Sequence, residues 1–510
     1  MTSTAVHLWR LLRWGRTLAR HGALRGIERD VNTPPQVRRL VRIARFGARI
    51  PETPAYAVAF QSIGPAAIKL GQALATRPDL VGIEATHDLM RLQDALPPAP
   101  FADIRAAIEQ GLGKPIETMF TSIDEQSIGA ASIAQVHRAV TTDGRHVAIK
   151  VLRPGIEDEF ARAIDTYEWA AAQAELLSSE LTRLRPRQVI ATFRQWTTRE
   201  LDLRREAASA SELAENMAAL PDFLVPQIDW SRTSRRVMTL EWIDGLKLSD
   251  RTGLIAGGHD LKSLASTLVL AFLRQAIVDG FFHADLHQGN LFALPDGRIA
   301  VIDFGIMGRI DRRARLWLAE IIYGLITGNY SRVAEIHFEA GYVPSHHNLA
   351  EFTTALRAVG EPIRGLPVKE ISIGQMLDGL FTITRDFDMP TQPHLLLLQK
   401  TMVMVEGVAQ TLDPDINMWE TAAPFVGEWL RSELGPEAAI ADKLRQGFDL
   451  LSRLPDIFRR IEIAYPLPGA APPPPPLPVI RPLGMGLGWR FALVALIAAA
   501  AGAGAMALLG

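Results

Sequence analysis

FFHADLHQGNLF, residues 281–292, and the VIDFGIMG that follows at 301–308 are the stretches whose reading decides the fold. Asp285 and Asn290 stand five residues apart, and Asp303 opens an Asp-Phe-Gly thirteen residues beyond Asn290. A hard divalent cation that bridges phosphates takes oxygen ligands. An Asn carbonyl and an Asp carboxylate in this order therefore make Asn290 and Asp303 a candidate Mg2+ pair, with Asp285 as the acid of the loop. A second chemistry is written in the same letters: His283, Asp285 and His287 spell HxDxH, able to hold a transition metal through imidazole and carboxylate. That reading leaves the Asp-Phe-Gly without a role and finds no third distant histidine.

Working outward, the Asp285 to Asn290 interval is that of Asp and Asn in the protein-kinase catalytic loop H-R-D-L-x-x-x-N. Upstream, VAIK places Lys150 on a strand, where an ammonium can hold the α- and β-phosphates of a nucleotide if a carboxylate positions it. Taken singly, Lys150 reads as an edge-strand lysine, Asp303 as a turn residue and Asn290 as a helix cap. Their order along one chain is what makes them a site. Where a kinase carries its Gly-rich phosphate loop, this chain has SIGAASIAQVHRA, so the candidate nucleotide-facing stretch is Ala130, Ala131, Ser132, Ile133, Ala134 and Val136. Alanine disfavours positive φ and stiffens such a loop, which predicts altered nucleotide preference or slow transfer. The bland reading of this stretch is a β-turn built of small residues. MTLEWIDG matches a kinase hinge, so Glu241 and Ile243 are candidates to present backbone groups to adenine.

Composition narrows the classes. The 510 residues carry 54 Lys+Arg against 56 Asp+Glu, a formal charge of −2 that gives no global footprint for nucleic acid. Cysteine is absent, which excludes disulfides, thiolate metal sites, Fe–S clusters and Cys nucleophiles together. Residues 30–115 read as helices broken at prolines. The β-branched runs AQVHRAV and HVAIKVL, separated by Asp143-Gly144, predict an antiparallel hairpin. A helical stretch over roughly 157–220 precedes VPQIDW and RRVMTLEWI, which return to strand composition, and after Gly245 the pattern reads as almost wholly helical to about 465.

Both ends carry membrane signals. Arg10, Arg13, Arg16 and Arg20 recur at helical spacing beside Leu8, Trp9, Leu12 and Leu18, with no acid before Glu28. This fits an interfacial anchor helix, an ordinary surface helix or an Arg-rich transit segment. FALVALIAAAAGAGAMALLG, 491–510, is an uncharged run of 20 residues. At ~1.5 Å per residue it reaches about 30 Å, enough for one transmembrane helix, the alternative being a buried apolar hairpin. Arg481 and Arg490 before it predict a cytoplasmic body, and APPPPPLPVIRP at 471–482 predicts a stiff spacer.

From about 60 to 425 the chain resembles the UbiB family of atypical protein-kinase-like proteins, which support ubiquinone biosynthesis. Beyond the motifs above, the family's KxGQ signature stands here as Lys69, Leu70, Gly71, Gln72, and its ExD signature as Glu200, Leu201, Asp202. LLLLQKTMVMVEGVAQTLDPD, 395–415, is similar to the family's late helix. The resemblance implies an α+β, protein-kinase-like two-lobed fold with a helical N-terminal extension and a C-terminal transmembrane helix. The segments are then a basic amphipathic helix (1–30), a helical extension with KxGQ (31–115), a small lobe with a helical insert (116–244), a large helical lobe (245–465), a Pro-rich linker (466–490) and the span (491–510).

The resemblance also implies that Lys150 contacts nucleotide phosphates and pairs with Glu206, that Asp285 is the catalytic acid, and that Asn290 and Asp303 hold Mg2+ with ATP or ADP. Lys69 and Gln72 would interact with Glu200 and Asp202 over the active site, blocking the groove a peptide substrate would use. Lys69 and Gln72 share a helical face, whereas Glu200 and Asp202 do not. The two acids therefore act together only at a distorted helix start, or else pair locally, Glu200 with Arg204 and Asp202 with Arg205. Implied partners are a prenylated phenolic quinone precursor, membrane lipid and quinone-biosynthesis enzymes, with no nucleic acid and a homodimer left open. The implied place is the cell inner membrane, single-pass, with the body on the cytoplasmic face. The family commonly has a two-span anchor, and one span is seen here. Two rivals stand beside this reading. HADLHQGN is similar to the HGDxHxGN loop of kinases acting on small alcohols, so phosphorylation of an alcohol or phenol is one; a non-catalytic nucleotide-binding scaffold is the other. A hydroxylase finds no support, for lack of a dinucleotide fingerprint, Cys ligands or an iron triad.

Overall fold

The computed structural model describes residues 3–25, 35–46, 51, 53–75, 85–86, 88–89, 92, 96–177, 185–364, 383, 386–389 and 393–434. The Pro-rich linker and the C-terminal span lie outside them. The described residues of Met1–Ala207 and Ile228–Trp242 form one unit, and those of Ala208–Gln227 and Ile243–Val479 a second.

In the first unit the prolines punctuate the extension as the sequence predicts. Helices α1 (Thr4–Arg20), α2 (Pro35–Arg45), α3 (Tyr56–Ile63) and α4 (Pro65–Ala75) follow one another, and Pro35 and Pro65 open their helices, where the missing N–H costs nothing. The apolar residues of α1 do not share one face. Leu11 and Leu18 are buried, while Trp9 and Leu12 are exposed. The buried face docks on α6 (Ile156–Leu177): His7 Nδ1 lies 3.1 Å from Thr166 Oγ1, its ring stacks on Trp169, and Arg10 donates to the Arg162 carbonyl. Helix α5 (Phe101–Leu112) starts after the PPAP segment and ends at Gly113 in the left-handed conformation.

The predicted hairpin is present. Strands β3 (Ala134–Thr141) and β4 (His146–Leu152) pair antiparallel, and Gly144 takes φ 83° in the turn. With β1 (Phe120–Ile123), β2 (Gly129–Ala130) and β6 (Val237–Glu241) they form a sheet of order β1-β3-β4-β6, β2 lying against β3. Period-2 alternation splits β4. Val147, Ile149 and Val151 face a core with Ile104, Ile108 and Val237, so the intervening Lys150 points to the opposite side. A second core joins the extension to α6 and α7 (Pro186–Glu200) through Phe60, Ile68, Phe160, Tyr167 and Phe193.

The second unit is less helical than its composition suggests. Short strands interrupt the helices: β5 (Phe223–Leu224), β7 (Leu246–Lys247), β9 (Leu291–Ala293) and β10 (Ile299–Val301) in the order β5-β10-β9-β7, and β8 (Phe281–His283) paired with β11 (Met307–Arg309). The expectation of an almost wholly helical region after Gly245 is corrected here, because two- and three-residue strands are too short to impress a period of two on the sequence. VPQIDW likewise contributes a single bridge, Ile228 to Leu240, before a 3-10 turn capped by Asp229. Helix α10 (Leu261–Leu273) is N-capped by Asp260 and runs into a π-helical turn, Arg274–Asp279, that ends at Gly280 with φ 66°. Leu261–Asp279 is long and apolar enough to cross a membrane, yet more than half of it is buried within the protein, as befits a core helix. Around it follow α9 (Arg251–Ala256), α11 (Arg312–Thr327), α12 (Tyr330–Glu339), α13 (Leu349–Arg364), α14 (Pro393–Leu412) and α15 (Met418–Leu434).

Candidate active site

In the first unit Lys150 leaves β4 opposite Val136 of β3, and its Nζ lies 2.6 Å from Glu206 Oε1. Glu206 stands in the first turn of α8 (Leu203–Met217), and both side chains are largely buried, 15% and 9% exposed. Removing the carboxylate would take a short ion pair away from a largely buried ammonium, which is destabilising. The sequence-expected pair is therefore formed, and it fixes the ammonium of a lysine that would otherwise sample many rotamers.

The alanine-rich segment is held by its backbone. The Ala131 N–H donates to the Ala134 carbonyl at 2.8 Å, Ser132 and Ile133 are buried, and Val136 is half-buried in β3. Among the described residues the non-glycine positions at positive φ are Arg185, Asp303 and Asp388, so alanine fits Ala130, Ala131 and Ala134 without strain. The lock on this segment is Arg153, which no motif announced. Its guanidinium donates to the carbonyls of Ala131 (2.8 Å), Pro97 (2.9 Å) and Leu96 (3.2 Å), and burial pulls its pKa below the ordinary arginine value. Glu241 closes β6 opposite Val147, and the next N–H, of Trp242, donates to the His146 carbonyl. Ile243, half-buried, belongs to the second unit.

The KxGQ and ExD residues meet in part. Lys69 Nζ lies 2.5 Å from Glu200 Oε1 and 6.0 Å from the Trp196 ring centroid. Gln72 is half-buried on the same helix, α4. Gly71 between them is a packing necessity, since a Cβ there would come within 2.5 Å of Leu92 Cδ1 and 2.8 Å of Phe60 Cδ1. Glu200 is the last residue of α7, and Asp202 lies in the break before α8. The distortion that two acids at i and i+2 require is thus a complete helix interruption. Asp202 turns away from Lys69 to Arg204, which donates through Nε (2.9 Å) and Nη2 (2.8 Å) and holds the Asp202 pKa below the usual carboxylate value. Neither the fully inward reading nor the fully local one is right: Glu200 pairs inward and Asp202 locally, with Arg204 in place of Arg205.

In the second unit His283 organises the catalytic loop. It is fully buried; its Nδ1 accepts from the Asp285 N–H at 3.1 Å, and its Nε2 donates to the Asp303 carbonyl at 2.7 Å. With both ring nitrogens engaged and its pKa pushed down by burial, His283 is a neutral strut, which overturns the HxDxH metal reading. Three donors close enough to share one metal are found, among the described residues, at His346, His347 and Asp388 instead. The Gln275 side chain, from the π-helical turn, accepts the His283 N–H at 3.0 Å. Asn290 Nδ2 donates to the Asp285 carbonyl at 3.1 Å, which assigns its Oδ1 to the acceptor role. Asp303, exposed, adopts φ 64°, a left-handed conformation rare outside glycine, while Phe304 is buried edge-on to His283. Gly308 is required by the β8–β11 pair, because a Cβ there would meet the Phe282 ring at 2.1 Å. The oxygen donors Asn290 and Asp303 fit a hard cation such as Mg2+.

A strand lysine paired with a helix glutamate, and an Asp/Asn loop followed by an Asp-Phe-Gly on short strands, define a kinase-like protein. Residues 91–337 match the ABC1 atypical kinase-like domain, and residues 356–417 the UbiB helical domain. The probable protein kinase UbiB of Marinobacter nauticus is 39% identical over 387 residues, 75% of this chain and 71% of that protein. The chain belongs to the UbiB family of atypical kinase-like proteins. A solved structure of Rv3197 in complex with erythromycin, from Mycobacterium tuberculosis, is 25% identical, covers 75% of this chain and 95% of that one, and superposes with a TM-score of 0.49.

Proposed function

We propose that the chain is a membrane-anchored, kinase-fold ATPase that supports ubiquinone synthesis, coupling ATP turnover to access to, or extraction of, a prenylated phenolic precursor. The observation that carries this reading is the catalytic loop. A buried histidine, His283, ties the Asp285 N–H to the Asp303 carbonyl, and Asn290 is tied in turn to the Asp285 carbonyl. In this reading Lys150, steadied by Glu206, holds the nucleotide phosphates, and Asp285 accepts the proton of the attacking hydroxyl or water. Asn290 and Asp303 would hold Mg2+, which would supply positive charge to offset that of the phosphates. The alanine segment, fixed by Arg153, presents preset rather than adaptable backbone to the nucleotide.

Membrane lipid as a partner is supported by α1 and α2. Val6, Trp9 and Leu12 are exposed, with Arg13 over the Trp9 ring at 5.3 Å, and arginine-rich α2 exposes Ile43, followed by exposed Phe46 just past its end. The cytoplasm-facing placement at the inner membrane rests on the apolar run at 491–510 and the arginines before it.

The test is Mg2+-dependent phosphate release from ATP by the full chain beside Asp303→Asn, with and without a phenolic quinone-precursor analogue in anionic vesicles. Turnover that rises with the analogue and is lost in the variant is the expected result. A phosphorylated analogue would instead establish the small-molecule kinase, and tight nucleotide binding without turnover would establish the scaffold.

A further inference from the structure

We infer that Lys400, on α14 of the helical domain, is the cation that contacts the transferring phosphoryl group. This rests on the nucleotide reading above and adds a residue that no motif of the kinase-like part supplies.

Phosphoryl transfer spreads negative charge over the oxygens of the moving group, and a protein lowers its barrier chiefly by positioning and by cations aimed at that charge. The loop itself has none to offer. HADLHQGNLF contains no lysine or arginine, and neither does DFGIMG. The first basic residue beyond, Arg309, is bound by both carboxylate oxygens of Glu212 and lies over the Phe281 ring. His287 Nδ1 accepts from the Gly289 N–H, which ties the ring to the loop backbone, and its Nε2 lies 3.7 Å from Asp285 Oδ2.

Lys400 fills that gap from elsewhere in the sequence. Its Nζ lies 3.5 Å from Asp285 Oδ1, and its side chain is half-exposed. The helix beneath is well anchored: Leu398, Thr401 and Val405 are buried, and α14 packs on α10 and β11. At its far end Gln288 of the catalytic loop donates to Thr411 Oγ1, and Arg251 donates to the Thr411 carbonyl. The helix is thus tied to the loop at two places, and Lys400 stands at the reactive one. A long, half-solvated ion pair of this kind contributes little to stability, so its value lies in placing the ammonium. Lysine has three donors on a flexible stem and can bridge the Asp285 carboxylate and a phosphoryl oxygen at once.

The step balances without a proton from Lys400. The water oxygen bonds to the γ-phosphorus, the bond from that phosphorus to the β,γ-bridging oxygen breaks, and ADP leaves with the electron pair. The proton of the water passes to Asp285 and Lys400 remains an ammonium throughout, so the products are ADP and phosphate.

The full chain is compared with Lys400→Gln, Lys400→Arg and, as a control, Lys262→Gln, whose side chain is exposed on α10. Affinities for Mg·ATP and Mg·ADP, kcat for phosphate release and the denaturation midpoint are measured for each. Lys400→Gln is expected to lose about 10²–10³ in kcat and to narrow the preference for ATP over ADP while keeping its ADP affinity and its midpoint. Lys400→Arg is expected to recover a substantial part of kcat, and the control to match wild type. An unchanged ATP to ADP preference in Lys400→Gln overturns the inference, as does an equal loss of both nucleotides. A rise in kcat would make Lys400 a brake on Asp285 and overturn it as well. If the wild type binds neither nucleotide, the proposed function fails first and this inference with it; if it binds ATP and Lys400→Gln does so equally, this inference alone fails.

Discussion

His283 shows how much of this chemistry is set by single side chains. One buried ring accepts the N–H of Asp285 and donates a hydrogen bond to the carbonyl of Asp303, so the loop acid and the Asp-Phe-Gly are tied by a group whose charged form burial disfavours. The same burial acts on His337, packed among Tyr342 and Phe352, and pushes both histidines below their ordinary value of 6.5. The sign follows directly. As pH falls through 6.5 the unfolded chain binds more protons at these positions than the native chain, so their contribution to stability is present above pH 6.5 and is lost as pH falls towards the lower native values. Each such group steepens the loss by up to about 1.4 kcal/mol per pH unit. His337→Phe lies outside the catalytic loop and retains an aromatic ring. Urea midpoints measured between pH 7 and 5 are expected to fall less steeply for it than for wild type, and parallel curves would show that His337 takes up its proton without consequence.

At the scale of elements, the instructive pieces are the alanine segment and the break between α7 and α8. Arg153→Met keeps the length of the side chain and removes three hydrogen bonds to carbonyls. It is expected to cost about 2–3 kcal/mol and to raise hydrogen exchange in residues 128–133 at least tenfold relative to β4; exchange that rises equally throughout the sheet would show that Arg153 supports the fold without favouring the segment. The break carries Glu200 on one side and Glu206 in the first turn of the helix on the other, so the partners of Lys69 and Lys150 hang from one short stretch of chain. Much of this was legible in advance. The hairpin and the order of Asp285, Asn290 and Asp303 follow from local pattern and motif, the Lys150–Glu206 pair was implied by the family resemblance alone, and the helical-face rule already required a distortion at Glu200 and Asp202. What was not legible lies far apart in sequence. Lys400 and Asp285 are 115 residues apart and Arg153 reaches carbonyls 56 and 57 residues away, distances across which no periodicity speaks. The short strands β7 to β11 escaped for the opposite reason, being too brief to show any period at all.

On the scale of the whole molecule, a formal charge of −2 coexists with an arginine-rich beginning, so any attraction to anionic lipid is local and not global. Helix α1 already commits His7, Leu11, Leu18 and Ala19 to the protein interior, which leaves Val6, Trp9 and Leu12 as the large apolar side chains it offers outward. The chain contains no cysteine, so Trp9→Cys creates a unique thiol. An environment-sensitive dye attached there is expected to shift to the blue on addition of anionic vesicles, and a dye at Ser62→Cys, an exposed position of α3, is expected to shift less; equal shifts would mean that α1 has no special contact with lipid. All assays of the intact protein, from vesicle binding to turnover, need an inactive counterpart that is otherwise the same molecule, and the backbone of Asp303 decides which one that is. At φ 64° most residues would strain the chain, and asparagine is among the few that tolerate it. Asp303→Asn therefore removes a charge and little else, whereas Asp303→Ala would confound lost chemistry with a displaced Phe304 and a loosened His283, and would make a silent enzyme indistinguishable from a misfolded one.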